Sequence, residues 1–264
     1  MIDLSMSHPL VEFENVTISR EGRIALREVS LKIGAGEHVA VLGPNGSGKS
    51  SLIKTITREC YPVDPDHSAV RVMGERIWNV FELRARMGIV TAELAQACMR
   101  GFQGLEVVLS GFFSSVGIWP HLRVTEEMRA RAGEALERLE ISHLAERWVD
   151  EMSSGEARRV LIARALVHGP KALVLDEPSA SLDLHAAHSL NQMLRKLARE
   201  GTSIILVTHH LADIIPEIER VILIREGRVF RDGAKQDVLT EPLLSELFRT
   251  RVHVVRRDGY YHAW

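Results

Sequence analysis

Short apolar runs separated by turn residues open the chain. Residues 10–13, 25–33 and 38–42 read as strands, with turn signals at Glu21-Gly22 and Gly34-Ala35-Gly36. The pattern predicts a small, largely antiparallel β region feeding a first core strand. In the middle the period changes: Met128, Ala132, Ala135, Leu136 and Leu139 recur at helical spacing among Glu and Arg residues. That predicts a helical lobe, over about 92–151. The last third returns to strand, helix, strand, with an apolar run at 172–176, a helix near 186–200, and strands at 203–208 and 221–224. Strands apolar along their whole length and alternating with helices predict a parallel sheet covered on both faces. No repeat or low-complexity linker intervenes, so the segments are expected to be lobes of one domain, 1–264, ending in a tail over 245–264.

Composition narrows the function. With 264 residues, 45% of them hydrophobic, the chain supports a large core. Its formal net charge of -2, from 33 basic and 35 acidic residues, sets up no field that would attract nucleic acid, and no nucleic-acid partner is expected. Cys60 and Cys98 lie far apart without metal-ligand spacing, which fits inert thiols in a reducing cytosol. The start, with Asp3, Ser5, His8 and Pro9, lacks the basic-then-apolar order of a secretory signal. No apolar run approaches the roughly 20 residues that cross a bilayer. The expectation is a cytoplasmic protein whose membrane work, if any, goes through a partner.

The candidate chemistry begins at Gly43-Pro44-Asn45-Gly46-Ser47-Gly48-Lys49-Ser50, which matches G-x-x-x-x-G-K-[ST] between a strand at 38–42 and a helical run at 51–57 that opens on Ser51. Glycines let backbone N–H groups wrap phosphate oxygens without a Cβ clash, and a helix start adds partial positive charge aimed at the same anion. Lys49 is placed to bridge the β- and γ-phosphates of ATP, and the Ser50 hydroxyl to hold Mg²⁺. Such a loop needs an acidic partner on a buried strand. The run at 172–178 supplies one: four apolar residues end in Asp176 and Glu177. Asp176 is placed to hold Mg²⁺, and Glu177 to polarise the attacking water.

Phosphate loops serve many NTPases; Met152-Ser153-Ser154-Gly155-Glu156, ahead of an apolar helix and the acidic strand, discriminates among them. It resembles the signature of ABC ATPases, usually Leu-Ser-Gly-Gly-Gln, with Ser153 and Gly155 kept and Met152, Ser154 and Glu156 departing. The same residues also form a helix capping box, and the two roles are compatible. Asp183, in Ser181-Leu182-Asp183, resembles the family's D-loop. His209, after Thr208, resembles its switch histidine. The likeness runs from about Val11 to Gly233. It implies an α/β fold of P-loop NTPase type: a parallel core sheet, an N-terminal antiparallel β subdomain, and a helical subdomain inserted between phosphate loop and acidic strand.

The resemblance also implies an activity and partners. Two copies would close head to tail on two ATP molecules, Ser153 and Gly155 of one copy meeting the γ-phosphate held by the other. The motor of a transporter would act through a separate membrane permease from the inner face of the membrane. The alternative is a soluble ABC ATPase of assembly or repair. Two positions depart from the family pattern. Arg20 stands where an aromatic usually stacks on adenine, and a guanidinium can lie flat on a base. Ala92 stands where the Q-loop glutamine is usual, with Glu93 and Gln96 nearby. The runs at 108–117 and 208–218 are similar to the molybdate-related branch of the family.

Overall fold

The computed structural model describes residues 8–98 and 101–264, so Asp3 and Ser5 lie outside the described residues. Among the described residues the chain forms two compact units, one within 1–80 and 203–264 and one within 81–202. Elements are numbered in chain order.

The first unit begins with β1 (Val11–Arg20), which pairs antiparallel with β2 (Arg23–Ile33) and, on its other side, with β4 (Ala69–Val72). The sequence pattern ends the first strand at residue 13 because Glu14 and Asn15 interrupt the alternation. The strand instead continues through a register shift between Phe13 and Val16. Asn15 takes φ 50° there, and its N–H donates to Ser30 Oγ at 2.9 Å. A bulge thus absorbs the polar pair and returns Val16 and Ile18 to the buried face.

The parallel strands of this unit are β3 (Val39–Leu42), β7 (Ser203–Thr208) and β8 (Arg220–Arg225), with β3 between the other two. Every residue of β3 and β7 is buried, as expected of strands covered on both faces. Helix α1 (Lys49–Ile56) follows β3 after the glycine-rich loop. An edge strand missed by the sequence pattern, β9 (Arg228–Ala234), pairs antiparallel with β8. Its residues are all half-buried or exposed, so it has no apolar run to announce it. The chain continues through α8 (Lys235–Val238) and α9 (Glu241–Phe248) to a hairpin, β10 (Val254–Arg257) with β11 (Tyr260–Ala263).

The second unit contains α2 (Val80–Arg86), β5 (Met87–Val90), α3 (Ala92–Cys98), α4 (Gly104–Ser110), α5 (Glu126–Arg138), α6 (Ser154–Leu166), β6 (Ala172–Asp176) and α7 (Leu184–Arg199). Strands β5 and β6 run parallel in register from Met87↔Ala172 to Val90↔Leu175. Helix α5 starts where Thr125 accepts a hydrogen bond from the Met128 N–H at 3.2 Å, and it buries Ala132, Ala135 and Leu136. The charge that interrupts the apolar run of α6 has a structural use. Arg164 is buried and donates to Ser110 Oγ at 3.1 Å and to the Ser115 carbonyl at 3.0 Å, tying α6 to the segment after α4.

Candidate functional site

In the first unit the glycine-rich loop leaves the carboxyl end of β3, where parallel sheets place their ligands. The register Leu42↔Thr208 brings the ends of β3 and β7 together, so the loop and His209 emerge from neighbouring strand ends. Backbone geometry dictates the loop's sequence. Gly48 has φ 110°, and a Cβ there would lie 2.6 Å from the Ala25 carbonyl oxygen. Gly46, at φ 78°, leaves open space on its Cβ side. The turn between β8 and β9 clamps the loop from below, the Gly227 N–H donating to the Ser47 carbonyl at 2.8 Å.

Side chains complete this half. Lys49 is only 6% exposed. Its Nζ donates to the Gly43 carbonyl at 2.8 Å and the Pro44 carbonyl at 3.2 Å, which curls the loop over the ammonium. Ser47 Oγ is buried with no hydrogen-bond partner among the described residues. A buried, unsatisfied hydroxyl beside a lysine and a helix N-terminus fits an anionic ligand. Ser50 is exposed, Ser51 is buried, and Asn45 faces solvent. A cavity of about 680 Å³ adjoins Gly46 and is lined by Ile24, Ala25, Arg27 and Phe230 among others.

His209 is half-buried and His210 exposed, their rings 3.8 Å apart and tilted by 41°. The backbone that presents them is fixed by Thr208, whose Oγ1 donates to Asp213 Oδ2 at 2.6 Å and accepts from the His210 N–H at 3.0 Å. Nothing in the sequence pattern singled out Asp213. Arg20 is half-buried at the end of β1, opposite Arg23 across the hairpin.

In the second unit β6 ends at Asp176, 6% exposed, followed by Glu177 in the left-handed region at φ 47°. A non-glycine residue held there carries strain of the kind found at functional turns. Arg158, on α6, is a further charge near the acidic strand end. Burial lowers its guanidinium from the ordinary value, and attraction to Asp176 opposes that fall. The sequence reading assigned it no role.

The signature forms the start of α6. Ser153 Oγ accepts from the Glu156 N–H at 3.3 Å, and Glu156 Oε2 accepts from the Ser153 N–H at 2.8 Å, a complete capping box. Bonding to the Ser153 N–H, with Arg147 nearby, holds the Glu156 carboxyl below its ordinary value. Gly155 lies against α7, where a Cβ would approach the Ala186 Cβ to 2.9 Å. Asp183 caps α7, its Oδ1 accepting from the Ala186 N–H at 2.7 Å, and Ser154 Oγ donates to the Ser181 carbonyl at 3.4 Å. Signature and D-loop segments therefore touch within this unit. Ala92, Glu93 and Gln96 are all exposed, on α3. Phe112 meets His168 edge-on, their ring centres 5.1 Å apart, with Arg131 over its face. It is packed within the helical elements rather than standing free.

A family model described as "ABC transporter" matches residues 26–180. The chain belongs to the ABC transporter family. An uncharacterized ABC transporter ATP-binding protein of Bacillus subtilis (strain 168), YlmA, is 32% identical over 93% of this chain and 93% of its own. The hemin import ATP-binding protein HmuV of Hahella chejuensis is 31% identical over 89% of this chain and 90% of its own. Among solved structures, the ADP conformation of the cassette MJ1267 superposes with a TM-score of 0.78 at 27% identity, covering 92% of this chain and 99% of that one. The dimeric post-hydrolysis state of the cassette MJ0796, bound to ADP and Pi, gives 0.70 at 30% identity over 85% and 98%. This ABC cassette thus has the α/β fold expected from its motifs, binds and hydrolyses ATP, and powers transport through a separate membrane subunit. The family match favours that reading over a soluble assembly or repair ATPase. Among the described residues no helix is long and apolar enough to cross a membrane.

Proposed function

We propose that the cassette hydrolyses ATP with a divided set of residues, the loop at 43–51 binding phosphate and the acidic strand end supplying base and metal ligand. The observation that carries this is the loop itself, where Gly48 at φ 110°, buried Lys49 and unsatisfied Ser47 Oγ form a cradle for an anion. Lys49 and the N–H groups of Gly46, Gly48, Ser50 and Ser51 hold the β- and γ-phosphates. Gly43, Pro44, Asn45 and Ser47 keep the loop curled around them.

Glu177 orients a water in line with the γ-phosphorus and accepts its proton as the new P–O bond forms and the bond to the β–γ bridging oxygen breaks. His209 holds the γ-phosphate by hydrogen bonding. Ser50 hydroxyl and Asp176 carboxylate are hard oxygen donors suited to Mg²⁺. When bound, the metal would neutralise charge on the phosphates. Arg20 lies under the adenine as a planar cation in place of the usual aromatic.

Ser153 and Gly155, at the start of α6, contact the γ-phosphate of ATP held by a second copy, and Asp183 caps α7, on which Gly155 packs. The reading is thus a head-to-tail homodimer with both sites active, docked on a membrane permease at the cytoplasmic face. MJ0796 is described as dimeric, which supports the assembly. The name of the Hahella relative, hemin import, favours a bulky metal chelate as cargo. It does not support the molybdate-like reading of the runs at 108–117 and 208–218. Turnover by purified Glu177→Gln tests the chemistry: ATP binding should survive while kcat falls by roughly 10²-fold or more. Near-normal turnover would refute the role of Glu177.

A further inference from the structure

The carboxyl-terminal hairpin packs on the segment that follows His209. Gly259, in its turn at φ 82°, lies so close to Pro216 that a Cβ would sit 3.0 Å from the proline ring. Tyr261, on β11, is 5% exposed. Beneath its ring lies Lys235, whose Nζ is 5.9 Å from the ring centre. The same Nζ donates to the Ile215 carbonyl at 3.2 Å and the Pro216 carbonyl at 3.1 Å. Burial, together with the charge of Arg256, lowers the Lys235 ammonium below its ordinary value, while Glu217 and Glu219 oppose the fall.

The contacts continue toward the site. Ile214 and Ile215 are fully buried, and Asp213, 4% exposed, receives the Thr208 hydroxyl at 2.6 Å. Thr208 Oγ1 in turn accepts the His210 N–H. An unbroken series of packed or hydrogen-bonded groups therefore runs from the hairpin through Lys235, residues 213–216 and Thr208 to the backbone that carries His209.

We propose that Tyr261 and Lys235 are positioning residues for ATP hydrolysis, holding the segment at 211–216 so that His209 meets the γ-phosphate. This rests on the reading of His209 given above. The ammonium links the two carbonyls, of which that of Ile215 also accepts the Ile218 N–H at 3.1 Å, and Lys235 is only 9% exposed beside the aromatic ring. Losing either should loosen 213–216 and let the Thr208 anchor shift. Misplacing a catalytic group by about 1 Å costs up to roughly 10²-fold in rate.

The test compares Tyr261→Ala, Tyr261→Phe and Lys235→Met in the full chain, each alone and combined with His209→Ala, using single-turnover hydrolysis, ATP binding and melting temperature. Tyr261→Ala and Lys235→Met should lower kcat by roughly tenfold or more with KM for ATP changed by less than about twofold. Tyr261→Phe should restore the rate by keeping the ring. In the His209→Ala background neither variant should lower the residual rate further, because both act through that histidine. Unchanged kcat in both single variants, or losses that multiply with that of His209→Ala, would overturn the positioning role while leaving the histidine's own role standing. Full turnover by His209→Ala alone would overturn both. A variant with a lower melting temperature is compared at a temperature where it remains folded.

Discussion

The phosphate loop and the signature are both helix starts, yet they are specified in different ways. The loop ahead of α1 is made by backbone: Gly48 at φ 110° has no side-chain cap on the helix it precedes, and the loop's shape depends on close approach to the Ala25 carbonyl. The start of α6 is made by side chains, Ser153 and Glu156 capping each other. A backbone device tolerates almost no substitution at Gly43 and Gly48, where a Cβ would lie 2.3 Å from the Ile224 carbonyl oxygen and 2.6 Å from that of Ala25. A side-chain device tolerates exchange among residues that offer the same donors and acceptors. This accounts for an intact loop motif beside a signature in which Glu156 stands for the usual glutamine, since both can accept the Ser153 N–H.

The contrast can be broken experimentally, and the largest effect is expected at the loop. Gly48→Ala forces a side chain into a left-handed backbone and toward the Ala25 oxygen. It should cost about 2 kcal/mol or more in stability and remove ATP binding, measured by thermal melting and calorimetry. A variant that binds ATP normally would show that the loop is not backbone-specified. Lys49→Ala deletes the buried ammonium and leaves the Gly43 and Pro44 carbonyls without it. ATP affinity should fall by roughly 10²-fold, and unchanged affinity by fluorescence titration would exclude Lys49 from the phosphate site.

Smaller effects are expected at the signature. Ser153→Ala removes the hydroxyl cap and should cost about 1 kcal/mol, seen as a melting temperature lower by roughly 2–4 °C; no change would mean the cap contributes nothing to stability. The smallest effect is a pH dependence. The Glu156 carboxyl titrates below its ordinary value in the folded chain. Its contribution is therefore fully present above the unfolded pKa and is lost as pH falls through the folded one. Melting curves of the native chain and Glu156→Gln should differ at about pH 6 and converge toward about pH 3; a gap that widens on acidification would reverse the sign.

The same distinction governs what the sequence makes legible. The glycine-rich loop after β3, the acidic end of β6 and the buried strands could be read directly, because close backbone approach and burial on both faces each permit few residue types. The bulge at Asn15, the edge strand β9 and the latch from Thr208 to Asp213 could not. Their positions depend on partners distant in sequence, and their residue types are common on any surface. Lys235 is the clearest instance. A lysine in a polar stretch looks solvated, and only the fold covers it with Tyr261. Phe112 is similar: its place in the sequence announces neither the edge-on contact with His168 nor the Arg131 guanidinium over its face.

The central claim is that ATP held by the loop of one copy is completed by the signature of another. Sedimentation of Glu177→Gln with and without ATP tests it most directly, alongside Glu177→Gln/Lys49→Ala. The single variant should shift from monomer to dimer when ATP is added, and the double variant should remain monomeric at the same concentration. A Glu177→Gln chain that binds ATP yet stays monomeric, or a dimer indifferent to Lys49, would contradict the shared site.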